Sequence, residues 1–98
     1  MKALLYAGHE LLTTDAVADA LLDYVEVLPH NQPPERVVIP ALRDGLPVTA
    51  EVVLTASTPV AVTTTPIRDT PLEGDLYAVE VLRRKTERVA GIGYELGR

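Results

Sequence analysis

Apolar residues recur along this chain at two spacings, and the switch between them marks out its elements. From Thr14 to Leu28 the spacing is helical. At about 100° per residue, Val17, Leu21, Tyr24 and Leu28 share one face, and Asp15, Asp19, Asp23 and Glu26 lie almost opposite. The pattern predicts an amphipathic helix over 14–28. Thr13 or Thr14 supplies the cap, and Asp15 sits near the positive end of the helix dipole. Pro29 ends it, because a residue before proline avoids α geometry. The following Pro29-His30-Asn31-Gln32-Pro33-Pro34 reads as a loop, since its prolines cannot continue a helix.

The spacing then changes to two. Asp44-Gly45 is a type I′ turn signal between Val37–Leu42 and Pro47–Leu54. A two-residue turn there pairs Ala41 with Val48, Ile39 with Ala50 and Val37 with Val52, all on one apolar face. Val38 with Glu51 and Pro40 with Thr49 fall on the other face, so turn chemistry and face pattern agree. Pro40 has no N–H to donate, which predicts an edge strand or a bulge. A third strand, Val60–Thr65, follows Ser57-Thr58-Pro59. A three-residue loop would return it alongside the second, with Val60 opposite Ala56 and Val62 opposite Leu54.

Thr70-Pro71-Leu72-Glu73 has the form of a capping box with proline at the first helical position. It predicts a second helix with Leu72, Val79, Leu82, Thr86, Val89 and Ala90 on one face, ended by Gly91. Gly74 within it costs about 1 kcal/mol relative to alanine. A competing reading makes Leu76–Leu82 a strand. At the N-terminus, Lys2–Ala7 is either a strand that turns at Gly8-His9 into Glu10–Thr13 or a run straight into the first helix. These elements assemble as an α+β fold: a small two-layer sandwich in the order β(β)αβββα, with an antiparallel sheet of 3–5 strands and two amphipathic helices on one face.

Composition adds limits. Ninety-eight residues, 47% of them hydrophobic, suit one folded domain over 1–98, with 91–98 as a flexible tail. The chain has no Phe, Trp or Cys, so its core must be built from Leu, Val, Ile and four Tyr. Such a core is thin for a small domain, and self-association would relieve the shortage. No disulfide or thiolate metal site is possible. The first apolar run stops at Gly8-His9-Glu10, too short for a secretory leader, and no run approaches the ~20 residues of a membrane span, so a cytoplasmic location is expected. Arginine outnumbers lysine seven to two, a bias of GC-rich genomes.

The net charge of −5 is unevenly spread. Residues 1–35 carry net −5, residues 36–82 net −3, and residues 83–98 net +3. A chain of this sign is not drawn to nucleic acid, and no exposed aromatics accompany the basic segment to stack on bases.

Three groups of residues have side chains or spacings that could carry chemistry. His9 and Glu10 have no second histidine at metal-ligand spacing, and His30 lies 21 residues away across a helix. The hydroxyls at 55, 57, 58, 63, 64 and 65 have no neighbouring base to activate them. Gly91-Ile92-Gly93 lacks the strand and helix that a dinucleotide site requires. None of these implies a catalytic residue, a cofactor or a metal. What remains are two charged faces: Asp15, Asp19 and Asp23 on the first helix, and Arg83, Arg84, Lys85 and Arg88 on the second. The expectation is a non-enzymatic interaction module that forms a homodimer or takes a protein partner, through an open sheet edge or by acidic helix meeting basic helix. The competing expectation is a small-molecule binder or minor enzyme with a site near the proline-rich loop, drawing on His9, Glu10 or His30.

Overall fold

The computed structural model describes residues 1–96, with side chains through Gly91. Seven elements follow in order: β1 (Lys2–Tyr6), β2 (His9–Thr13), α1 (Asp15–Val27), β3 (Glu35–Arg43), β4 (Leu46–Leu54), β5 (Val60–Thr64) and α2 (Asp75–Leu96). The strands form one open antiparallel sheet in the order β4-β3-β2-β1-β5, and both helices pack on one face of it. This is the expected α+β sandwich, with both N-terminal segments drawn as strands.

Two hairpins form the frame. Asp44 (φ 53°) and Gly45 (φ 78°) take the left-handed geometry of a type I′ turn, whose twist suits the flanking strands. The register follows as expected: Val37 opposite Val52, Ile39 opposite Ala50, Ala41 opposite Val48, with Val38 opposite Glu51 on the other face. Val37, Ile39, Ala41, Val52 and Leu54 are buried. The first hairpin turns at Ala7 (φ 49°) and Gly8 (φ 81°), one residue before the expected Gly8-His9, so that Tyr6 meets His9.

The α1 helix matches its pattern closely. Thr14 caps it by accepting the Val17 N–H on Oγ1 at 3.2 Å. Val17, Leu21, Tyr24 and Leu28 are buried, while Asp19, Asp23 and Glu26 face solvent. With Leu4, Ile39, Leu54, Ala78, Val79 and Leu82 they make one core between the layers. Each large aliphatic side chain buried there contributes about 1.5–3 kcal/mol.

Four expectations are corrected. First, β5 pairs with β1 and not with β4: Val60 lies opposite Tyr6 and Val62 opposite Leu4. Both partners offer an apolar face of period two, so local pattern does not distinguish them. Second, the capping box is unused. Gly74 (φ 85°) makes the turn, its carbonyl accepts the Ala78 N–H at 3.0 Å, and α2 starts at Asp75. The Asp75 carboxylate accepts the N–H groups of Leu72 (3.1 Å) and Leu76 (2.7 Å), and Thr70 instead donates its hydroxyl to the Arg68 carbonyl at 3.1 Å. Third, Gly91 does not stop the helix, which continues to Leu96 and settles 76–82 as helical. The end of the expected tail, residues 97–98, lies outside the described residues. Fourth, β3 is not an edge. It pairs with β2 only at Leu12–Leu42, so the missing Pro40 N–H costs no ladder bond there, and the Pro40 carbonyl accepts the Thr13 hydroxyl at 2.8 Å.

The sheet is strongly coiled. In a flat sheet β1 and β4 would stand three strand spacings apart, about 14 Å, beyond the reach of any side chain. Yet the Tyr6 hydroxyl donates to the Val53 carbonyl at 3.0 Å and accepts the Val53 N–H at 2.9 Å. The far edge has therefore come round to β1, held there by one tyrosine in place of a ladder.

Candidate interaction surface

The charged residues expected to meet a partner are placed separately. On α1, Asp15 lies 3.4 Å from the Met1 ammonium, and Asp19 accepts a hydrogen bond from Lys2 Nζ at 2.7 Å. That bond raises the Lys2 ammonium above its ordinary value. Asp23 is exposed one turn further on. On α2, Arg84 pairs with Glu80 of the preceding turn, and Arg83 and Arg88 are exposed. The two helices pack against each other within one chain.

Lys85 has a different role. It turns inward and donates to one carboxylate oxygen of Glu35, while the buried Tyr24 hydroxyl donates to the other. Burial pushes the Glu35 carboxyl up, but the hydrogen bonds from Lys85 and Tyr24 and the charges of Lys85 and Arg88 outweigh it and hold the group below the usual glutamate range. Burial, together with the bond to Glu35, pushes the Tyr24 phenol up, so it remains a neutral donor. An ionised acceptor with two donors makes strong hydrogen bonds, and it ties α1, β3 and α2 together. The sequence pattern places Lys85 among the surface cations and does not single out Glu35. The available clue was a tyrosine on the apolar face of α1, whose buried hydroxyl needs an acceptor.

The histidines are far less engaged. His9 and His30 are both exposed. Among the described residues no group of three or more His, Cys, Asp or Glu side chains could hold a metal ion. His9 and Glu10 border an open cleft of about 560 Å³ with Leu5, Pro59 and Ala61. The hydroxyl-rich segment closes loops: Thr58 Oγ1 accepts the Thr55 N–H at 2.7 Å, and the Thr65 hydroxyl donates to the Met1 carbonyl at 2.7 Å. No helix among the described residues is long and apolar enough to cross a membrane.

The sheet edges hold the more informative chemistry, and the turns determine which backbone groups they expose. In a two-residue hairpin the residues flanking the turn exchange hydrogen bonds, and bonding then alternates along the ladder. From Arg43–Leu46, the groups of β4 that turn away from β3 belong to Pro47, Thr49, Glu51 and Val53. The Tyr6–Val53 bonds agree with this independently. The β4 edge is thus guarded. Pro47 has no N–H, Val53 is already bonded, and Glu51 places a carboxylate 3.5 Å from Arg36.

The same alternation from Tyr6–His9 gives Ala3 and Leu5 to β5, so Ala61 and Thr63 bond inward. Val60, Val62 and Thr64 then direct their N–H and C=O groups outward. The strand has no charge and no proline, and no side chain among the described residues caps its outward groups. Compared with protein-family models, curated proteins and solved structures, the chain finds no match in any of the three.

Proposed function

We propose that this chain is a non-enzymatic protein-interaction module that self-associates. The observation that carries the reading is the contrast between its two sheet edges, one blunted by Pro47, Glu51 and Tyr6 and the other offering three consecutive outward N–H and C=O pairs. An unguarded edge is a template for strand addition, and soluble proteins ordinarily cover or charge such edges. The thin core, which has no Phe or Trp, supports the same reading, because association extends the buried surface. Sedimentation equilibrium tests it. The expected result is a reversible dimer in the micromolar range; a monomer at several hundred micromolar contradicts the proposal.

A second docking surface is favoured by Leu76 and Tyr77 at the start of α2, which are 80% and 74% exposed. Val38 and Tyr77 line one groove between β3 and α2, and Leu76 lines a separate one with Val79 and Arg83. Large apolar side chains grouped in this way mark a site for a protein partner. Charged substitutions at both positions are expected to abolish partner binding and leave the dimer intact. Loss of the dimer instead would assign self-association to this patch.

A further inference from the structure

We propose that the β5 edge takes the β5 edge of a second copy of this chain, antiparallel, about a two-fold axis through Val62. The inference rests on the self-association reading and names its surface and register. Backbone geometry sets the register. Centred on Val62, the pairing puts Val62 opposite Val62 of the second copy and each Val60 opposite a Thr64. These are the positions whose groups turn outward, so the outward N–H groups of each copy meet the outward carbonyls of the other. A slip of one residue would set outward groups against inward ones. A slip of two would leave an end residue of each strand unpaired.

The sequence around the edge favours a second copy as the occupant. Two like chains of net charge −5 repel least where they are uncharged, and Val52 to Ile67 is an unbroken run without Asp, Glu, Lys or Arg. Pro59 and Pro66 bound the strand on both sides, so each copy offers the same short segment and no more. The side-chain faces also match themselves, with Val60 against Thr64 on the helix-bearing side and Ala61 against Thr63 on the other.

This register can be tested with cysteines, because the chain has none of its own. Ala61 and Thr63 are exposed, and in this pairing each faces the other across the two-fold in a non-hydrogen-bonded pair. Their Cα separation is about 4.5 Å, within the range of about 4.4–6.8 Å that a disulfide spans. Ala61→Cys and Thr63→Cys chains, oxidised as a mixture, are expected to give a mixed disulfide dimer at least tenfold more than either chain oxidised alone. Equal yields, or none from a protein that sediments as a dimer, overturn the β5 pairing and leave self-association standing. A protein that sediments as a monomer overturns self-association itself.

Thr64→Pro gives a second readout. It removes an outward N–H without breaking a bond to β1, and circular dichroism checks that it folds. It is expected to weaken the dimer tenfold or more, and an unchanged dimer counts against the edge. Salt separates this model from helix-to-helix ion pairing. Screening two chains of net −5 strengthens the β5 dimer, whereas a dimer that weakens with salt is held by the acidic and basic helix faces and overturns the proposal.

Discussion

Replacing Tyr24 with phenylalanine isolates the polar junction beneath α2. The ring is 1% exposed, so Phe fills the same volume and opens no cavity. What is lost is one hydrogen bond from the hydroxyl to the Glu35 carboxylate. Hydrogen bonds to charged groups contribute about 1.5–3 kcal/mol. The Glu35 side chain keeps its bond to Lys85 and is 24% exposed, so water can reach the vacated oxygen. The lower end is therefore expected, about 1.5 kcal/mol. For a domain of this size that corresponds to a fall in Tm of roughly 6–12 °C. The measurement is urea unfolding followed by circular dichroism, with thermal melts alongside.

The loss in this variant must also depend on pH. The folded-state Glu35 carboxyl is depressed, so its contribution is present above the ordinary value of 4.5 and disappears as pH falls through the folded value. Tyr24 is one of the groups that depress it. The gap between wild type and Tyr24→Phe should therefore be full at pH 7 and narrow below pH 4. A loss under about 0.5 kcal/mol at pH 7, below what a hydrogen bond ordinarily contributes, or one that is the same at pH 3, would refute the junction as described.

Other variants test separate parts of the fold. Tyr6→Phe removes both bonds to Val53 and is expected to cost about 1 kcal/mol; hydrogen exchange at the Val53 amide should accelerate sharply, and unchanged exchange would refute the tyrosine closure. Gly74→Ala and Gly91→Ala should have opposite signs. The first forces φ 85° on a residue with a Cβ and should destabilise by about 1–2 kcal/mol. The second fills open space inside a helix and should stabilise by about 0.5–1 kcal/mol in denaturant titrations. Asp75→Ala should lower stability by about 1 kcal/mol while Thr70→Ala changes it little; the reverse order would restore the capping box as the start of α2.

What was legible in the sequence had local causes. The Asp44-Gly45 hairpin could be registered because turn chemistry and alternating faces agree within twenty residues. The α1 helix could be read because its cap, its apolar face and Pro29 are all local. The partner of β5 is not legible, because Leu54 and Leu4 offer apolar faces that the local pattern does not distinguish. The start of α2 is ambiguous in the sequence because a capping box and a glycine turn overlap at 70–74, and the helical signal from Asp75 onward suits either. The Glu35 junction joins residues separated by 11 and 50 positions, with no shared motif. The contrast between the sheet edges needed strand order before the proline, the glutamate and the tyrosine could be recognised as guards.

Hydrogen exchange as a function of protein concentration tests the central claim most directly. If the chain associates through β5, the amides of Val60, Val62 and Thr64 should exchange freely in dilute solution and become protected together as concentration rises. Those of Thr49 and Glu51, on the guarded edge, should not change. Protection at β5 that ignores concentration, or that grows at β4 instead, would contradict the account.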